Sequence, residues 1–169
     1  MKAIFFNKSA KLSVIAFLSV LVVLTSCEQE QYGPNLSVAP GGGTVSKYKS
    51  YTLSSTDAQN IYGRIVFWKD NTGVTLVQMG LYNTTPELTY ASGIFTGAIA
   101  TGSTSQLMPL YAVDGATGSF GTSKFYIISD KSFFDKLGTF DANVKVIIGT
   151  TTVASGDIGA NAEPVAEAG

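Results

Sequence analysis

Ile61-Tyr62-Gly63-Arg64-Ile65-Val66-Phe67-Trp68 decides the fold. Ile61, Gly63, Ile65 and Phe67 alternate with Tyr62, Arg64, Val66 and Trp68, the two-residue period of a strand. Asp70-Asn71-Thr72-Gly73 follows as a turn, with Gly73 suited to the left-handed position of a hairpin loop. Val74 to Tyr82 then returns as a second strand. Apolar side chains fall on both faces, so the hairpin belongs inside a sheet rather than at its edge.

Downstream, Asn83-Thr84-Thr85-Pro86 breaks the pattern. Leu88 to Thr101 reads as a strand rich in Gly and Ala, and Leu107 to Val113 as another, closed by Asp114-Gly115. Lys124 to Ile128 is a short apolar strand. Ser129 to Leu137 carries the one helical signal, with Ser129 or Asp130 as cap and Gly138 as stop. About two turns do not stand alone in water, so Phe133, Phe134 or Leu137 must dock on the sheet. In Asn143 to Ile148, Val144, Val146 and Ile148 share one face and Lys145 takes the other. Thr151 to Ser155 is the last strand, and 162–169 read as a disordered tail. Short strands at roughly ten-residue spacing predict an all-β domain: an antiparallel sandwich or Greek key, Ig-like, with one short helix.

Upstream, residues 27–50 read as a flexible tether, with Pro34, Pro40 and Gly41-Gly42-Gly43 denying regular structure. Ser46-Lys47-Tyr48-Lys49 has the S-x-x-K spacing of serine acyl-enzymes, but its partner motifs are missing. Further back, Lys2, Lys8 and Lys11 are the only charges before Cys27, and Leu12 to Leu24 is apolar except for Ser13 and Ser19. A basic start and a short apolar run make a secretory signal over residues 1–26. The run is too short for a membrane span, which takes about 20 apolar residues.

Leu24-Thr25-Ser26-Cys27 resembles the lipobox of bacterial lipoproteins. That resemblance implies diacylglycerol on the Cys27 thiol, cleavage just before it, and acylation of the new amine with a chain such as palmitate. Two or more acyl chains give stable anchoring where one gives only marginal binding. Glu28-Gln29-Glu30-Gln31 is similar to the acidic export tag of Bacteroidota lipoproteins, which implies the outer face of the outer membrane. The alternative is a solvated linker that leaves the protein facing the periplasm.

Removing residues 1–26 from 169 leaves 143, enough for one domain. The signal takes 3 of the 11 basic residues and none of the 12 acidic ones, so the mature balance is 8 against 12. Nucleic acid is not expected as a partner, since the mature balance is acidic and such a partner demands a clustered basic surface. With one Cys and no His, the chain has no intrachain disulfide, no Ser-His or Cys-His pair and no His-ligated zinc or copper. No cofactor is implied, although Asp and Asn oxygens can still hold a hard cation.

Two blocks carry a wider resemblance. Tyr62 to Phe67, the turn, and Val74 to Val77 form one. Phe140 to Val146, then Val153 to Asn161 with Gly156-Asp157-Ile158-Gly159, form the other. Together they resemble the CHRD domain of Bacteroidota lipoproteins over residues 51–161. The resemblance implies a sandwich like that of Cu/Zn superoxide dismutase. Many members carry a His-x-His segment, but Pro86 to Gly97 holds no His, so no metal or catalytic role comes with it. Fold alone does not give function.

Three functions compete. A non-enzymatic, lipid-anchored domain with a binding or surface-structural role needs only the anchor, the tether and a compact fold. A glycan-binding lipoprotein needs exposed aromatic platforms, for which Tyr62, Trp68, Tyr82 and Tyr90 are the candidates. A carboxylate-based hydrolase needs two facing acids, drawn from Asp130, Asp135, Asp141 and Asp157. More ordinary roles await each acid: Asp130 as a helix cap, Asp141 and Asp157 in turns, Asp135 towards solvent. The expectation is therefore a binding protein whose ligand is a glycan or another protein, not an enzyme.

Overall fold

The computed structural model describes residues 45–102, 104–118 and 124–165. The chain divides into two units, Met1–Tyr32 and Gly33–Gly169, and every described residue belongs to the second. The signal, Cys27 and the tether up to residue 44 lie outside the described residues. Among those that are described, no helix is long and apolar enough to cross a membrane.

The domain is all-β and antiparallel. In chain order its strands are β1 (Val45–Ser55), β2 (Tyr62–Asp70), β3 (Thr75–Tyr82), β4 (Thr89–Thr96), β5 (Gln106–Pro109), β6 (Val113–Asp114), β7 (Tyr126–Ile128), β8 (Asp141–Ile148) and β9 (Thr151–Gly159). One short helix, α1 (Phe133–Lys136), runs into a 3-10 turn at Leu137–Thr139, and a second 3-10 turn covers Ile99–Thr101. The strands lie in the order β5-β4-β8-β9-β1-β2-β3-β7, with β6 paired to β4.

β1 joins two halves of this sheet. Val45 to Leu53 pair with β2, whereas Ser54 and Ser55 pair with β9. Tyr51, Leu53, Ile65, Phe67, Val77 and Met79 from one half meet Ile94, Ala142, Val144, Val146 and Ile158 from the other in one buried cluster. The sheet is therefore curled over a single core. Each large apolar side chain fully buried there contributes about 1.5–3 kcal/mol. Residues 110–118 run between the outer parts of the curl. Val113 pairs with Tyr90 on β4, the Leu81 amide of β3 donates to the Gly118 carbonyl at 2.7 Å, and the Tyr111 ring meets Tyr126 of β7.

The central hairpin forms as its sequence dictates. Phe67 stands opposite Val77 and Ile65 opposite Met79, all facing the core. Val66, Trp68 and Leu76 lie on the other face in a second buried cluster with Val45, packed by Tyr48, Val74 and Phe125. The Asp70 carboxylate accepts from the Thr72 and Val74 amides and the Thr72 hydroxyl, while Gly73 takes φ 89°. That side chain replaces the backbone partners a tight turn leaves unmet.

Several boundaries differ from those the sequence predicts. The tether expected over 27–50 ends sooner, because β1 begins at Val45 and Tyr48 packs on Trp68. Polar Ser and Lys between those residues hide the strand. The tail expected over 162–169 is not wholly disordered: the Val165 amide donates to the Ser50 carbonyl at 2.8 Å, while 166–169 lie outside the described residues. The predicted strand at 107–113 is two, β5 and β6. The one at 151–155 continues to Gly159. Ile148 is only partly buried, beyond a register shift between Val146 and Ile147. Helix α1 is shorter than predicted, 4 residues with Ser132 at its N-cap in place of Ser129 or Asp130, but Phe133, Phe134 and Leu137 are buried as expected.

Candidate functional site

The aromatic candidates separate into two exposed and two buried. Tyr62 and Tyr82 open β2 and close β3, directly opposite each other at one end of the hairpin. They are 42 % and 41 % exposed, with ring centroids 5.1 Å apart and planes at 24°. Asn60 and Asn83 flank them in left-handed conformations that Asn tolerates, and the Asn83 amide donates to the Asn60 carbonyl at 3.0 Å. That bond ties together the two loops that hold the rings. Arg64 follows on the same face, opposite Gly80. The end thus presents a stacked aromatic pair whose rings and phenol hydroxyls can meet a partly apolar, partly polar ligand.

Trp68 and Tyr90 do not join that surface. Trp68 is 3 % exposed under the Tyr48 ring, and Tyr90 is fully buried, its hydroxyl accepting from the Thr85 amide at 2.8 Å. Tyr90 serves the core and Trp68 the second buried cluster, because strand aromatics on a sheet buried on both faces find apolar neighbours before they find water.

The four acids weighed as a carboxylate pair are each committed to local structure. Asp130 accepts from the Ser132 amide at 2.9 Å and its hydroxyl at 2.8 Å, which hold its carboxyl below the usual range. Asp135 is held low chiefly by its hydrogen bond from Lys69, at 2.7 Å. Asp141 accepts from the Asn161 amide at 2.9 Å. Asp157 accepts from the Ile99 amide at 2.7 Å; it and Asp141 lie on β9 and β8 and not in the turns that the sequence predicts. Among the described residues, no group of three or more His, Cys, Asp and Glu is arranged to hold a metal ion.

One polar residue escapes sequence reasoning. Asn143, cross-strand from Asp157 and fully buried, donates to the Gly97 carbonyl at 2.7 Å. Asn143 and Asp157 together fasten the Gly97–Thr101 segment over the outer face of β8 and β9. The only sign in the sequence is an amide where a solvent-facing strand position would take Lys or Thr.

A shallow groove of about 280 Å³ runs beside β1 and β9, with Thr52, Ser54, Ser155, Asp157, Ile99 and Glu163 in its walls. The adjoining Ser55 and Thr56 hydroxyls are already engaged, by the Asp57 carbonyl at 3.1 Å and the Thr152 carbonyl at 2.6 Å. No family model matches the chain, and neither the curated proteins nor the solved structures contain a significant match.

Proposed function

We propose that this chain is a lipid-anchored lipoprotein of the bacterial outer membrane, displaying a non-catalytic β-domain on the cell surface for binding or a structural role. The observation that carries the reading is Leu24-Thr25-Ser26-Cys27 at the end of a basic and then apolar leader. The domain agrees with it, since Asp130, Asp135, Asp141 and Asp157 each hold a loop, a turn or an ion pair. The CHRD resemblance rests on its quoted residues. Its two blocks are the β2–β3 and β8–β9 hairpins, whose inner faces share the core. That arrangement suits a superoxide-dismutase-like sandwich.

Replacing Cys27 with Ala should abolish acylation and leave a precursor that keeps residues 1–26. Intact mass and detergent partitioning measure both. A Cys27→Ala chain cut before residue 27 and still firmly membrane-bound would overturn the anchor. External protease on intact cells decides the leaflet: digestion of the domain supports the outer face, and protection until lysis places it in the periplasm.

The ligand is a glycan or a protein, met at the exposed, stacked Tyr62 and Tyr82 rings. Stacking on such rings costs little conformational entropy, because each side chain has few rotamers to lose.

A further inference from the structure

The two ends of the β2–β3 hairpin differ in charge as well as in shape. The end at which β1 begins gathers five lysines from four separate segments. Lys47 on β1 stands directly opposite Lys69 on β2. Lys49 donates to the Phe134 carbonyl at 3.3 Å, with its ammonium 5.1 Å from that ring's centroid. Lys131 lies beside Gly73 of the hairpin turn, and Lys136 closes α1. Three acids share this end, and all are turned to local partners: Asp70 to its own turn, Asp130 to Ser132 and Asp135 to Lys69. Like charges set directly opposite across a ladder are destabilising. Asp135, bonded to Lys69 and close to Lys47, offsets part of that repulsion, and five lysines against three acids still leave this end basic.

The far end is the reverse. Its loops, residues 55–61, 83–88 and 114–118, hold Asp57, Glu87 and Asp114 and neither Lys nor Arg, with Arg64 beside them on β2. It also carries Tyr62 and Tyr82. Eight steps along β2, about 26 Å at strand rise, separate the two ends.

The basic end is also where the chain arrives from Cys27. Eighteen residue steps from Cys27 to Val45 reach at most about 60 Å, longer than the hairpin, so an anchor at Cys27 does not by itself fix which way the domain points. Charge can. Lysines near an anionic headgroup surface are attracted to it within a Debye length, and acidic loops are repelled.

We propose that the end bearing Lys47, Lys49, Lys69, Lys131 and Lys136 rests on the anionic headgroups of the membrane that anchors the chain, which turns Tyr62 and Tyr82 outward. This rests on the lipoprotein reading above. The membrane is favoured over a free acidic protein because the lysines lie at the end where β1 begins, the side from which the tether enters the domain, and opposite the ligand-type surface.

The test uses the full acylated protein in vesicles of phosphatidylcholine, with or without about 30 % phosphatidylglycerol, labelled with an amine-acetylating reagent and read by peptide mass. Lys47, Lys131 and Lys136, all exposed, should react at least about threefold more slowly in the anionic vesicles, and about 0.5 M NaCl should remove the difference. Lys145, on the outer face of β8, should react equally in both. The K47Q/K131Q/K136Q variant leaves the Lys49 and Lys69 contacts intact. In it, an exogenous protease should reach the β1–β2 loop, residues 55–61, at the same rate in both vesicles, whereas the unaltered protein should be cut there faster in the anionic ones. Equal labelling of the three lysines in both vesicles would overturn the orientation while leaving the anchor standing. A mass showing Cys27 unacylated would remove the anchor, and the orientation with it.

Discussion

Asn143 shows how much one side chain can hold. It is fully buried, and its amide donates to the Gly97 carbonyl at 2.7 Å, at the start of the segment that crosses the outer face of β8. Truncation to Ala removes that donor and leaves the carbonyl buried without it, at a cost of about 1–3 kcal/mol. Urea melts of Asn143→Ala should show that loss, with faster amide exchange confined to residues 97–102. Global exchange with no local excess would mean that the residue supports the core and not the segment. Gly156 and Gly159, in the Gly156-Asp157-Ile158-Gly159 closure, are explained at the same scale. A Cβ on Gly156 would collide with the Thr52 carbonyl of β1, and Gly159 sits at φ 67°. Asp157 between them accepts from Ile99. The pattern that resembles a family signature thus has a structural reason at each of these positions.

At the level of the element, β8 sets an apolar face against a polar one. Val144 and Val146 are fully buried, and the Lys145 ammonium lies 5.1 Å from the Phe95 ring centroid on the other side. Val146→Ala should cost a few kcal/mol, much of the roughly 5–15 that a domain possesses. Lys145→Ala should cost no more than about 1, the worth of an exposed cation–π contact. Denaturant midpoints of the two variants compare them directly, and equal shifts would put the register off by one residue. Helix α1 adds a pH dependence. Asp135 has its carboxyl held below the ordinary range chiefly by Lys69. A depressed carboxylate stabilises above its unfolded value, about 4, and that contribution is lost as pH falls through the folded value. Lys69→Met should therefore flatten the acid limb of the stability curve below about pH 4 and leave its alkaline side unchanged. The pair is exposed, so the effect is small.

For the whole molecule, the arrangement is one curled sheet with unlike ends. Tyr62 and Tyr82 occupy the end away from β1's start, where they add little to the core. The Tyr62→Ala/Tyr82→Ala protein should therefore keep its unfolding free energy, from denaturant melts, to within about 1 kcal/mol, roughly the worth of one aromatic pair. Binding to a glycan array should fall at least about tenfold if each ring contributes as much as a base stacked on an aromatic side chain, about 1–3 kcal/mol. A loss of binding matched by Trp68→Phe, which alters a buried side chain, would shift the site away from the exposed pair. Array binding that survives the double substitution would exclude these rings.

By itself, the sequence determined whatever depends on neighbours along the chain. Two-residue alternation from Ile61 to Trp68, the Asp70-to-Gly73 turn and the apolar stripe at Val144 and Val146 are local patterns, and local sterics and burial act on them directly. The all-β class and the docking of Phe133, Phe134 and Leu137 follow from the same reading. Only the tertiary structure decided what depends on distant partners. Val45 to Ser50 look like linker until β2 lies beside them, because backbone pairing does not require apolar side chains. Trp68 and Tyr90 look like Tyr62 and Tyr82 in the sequence. Their exposure differs because Trp68 sits mid-strand under Tyr48 and Tyr90 sits inside the curl, while the other two close a hairpin at its open end. The five lysines converge for the same reason. They are scattered from residue 47 to residue 136, and strand pairing together with the docking of α1 brings them to one end.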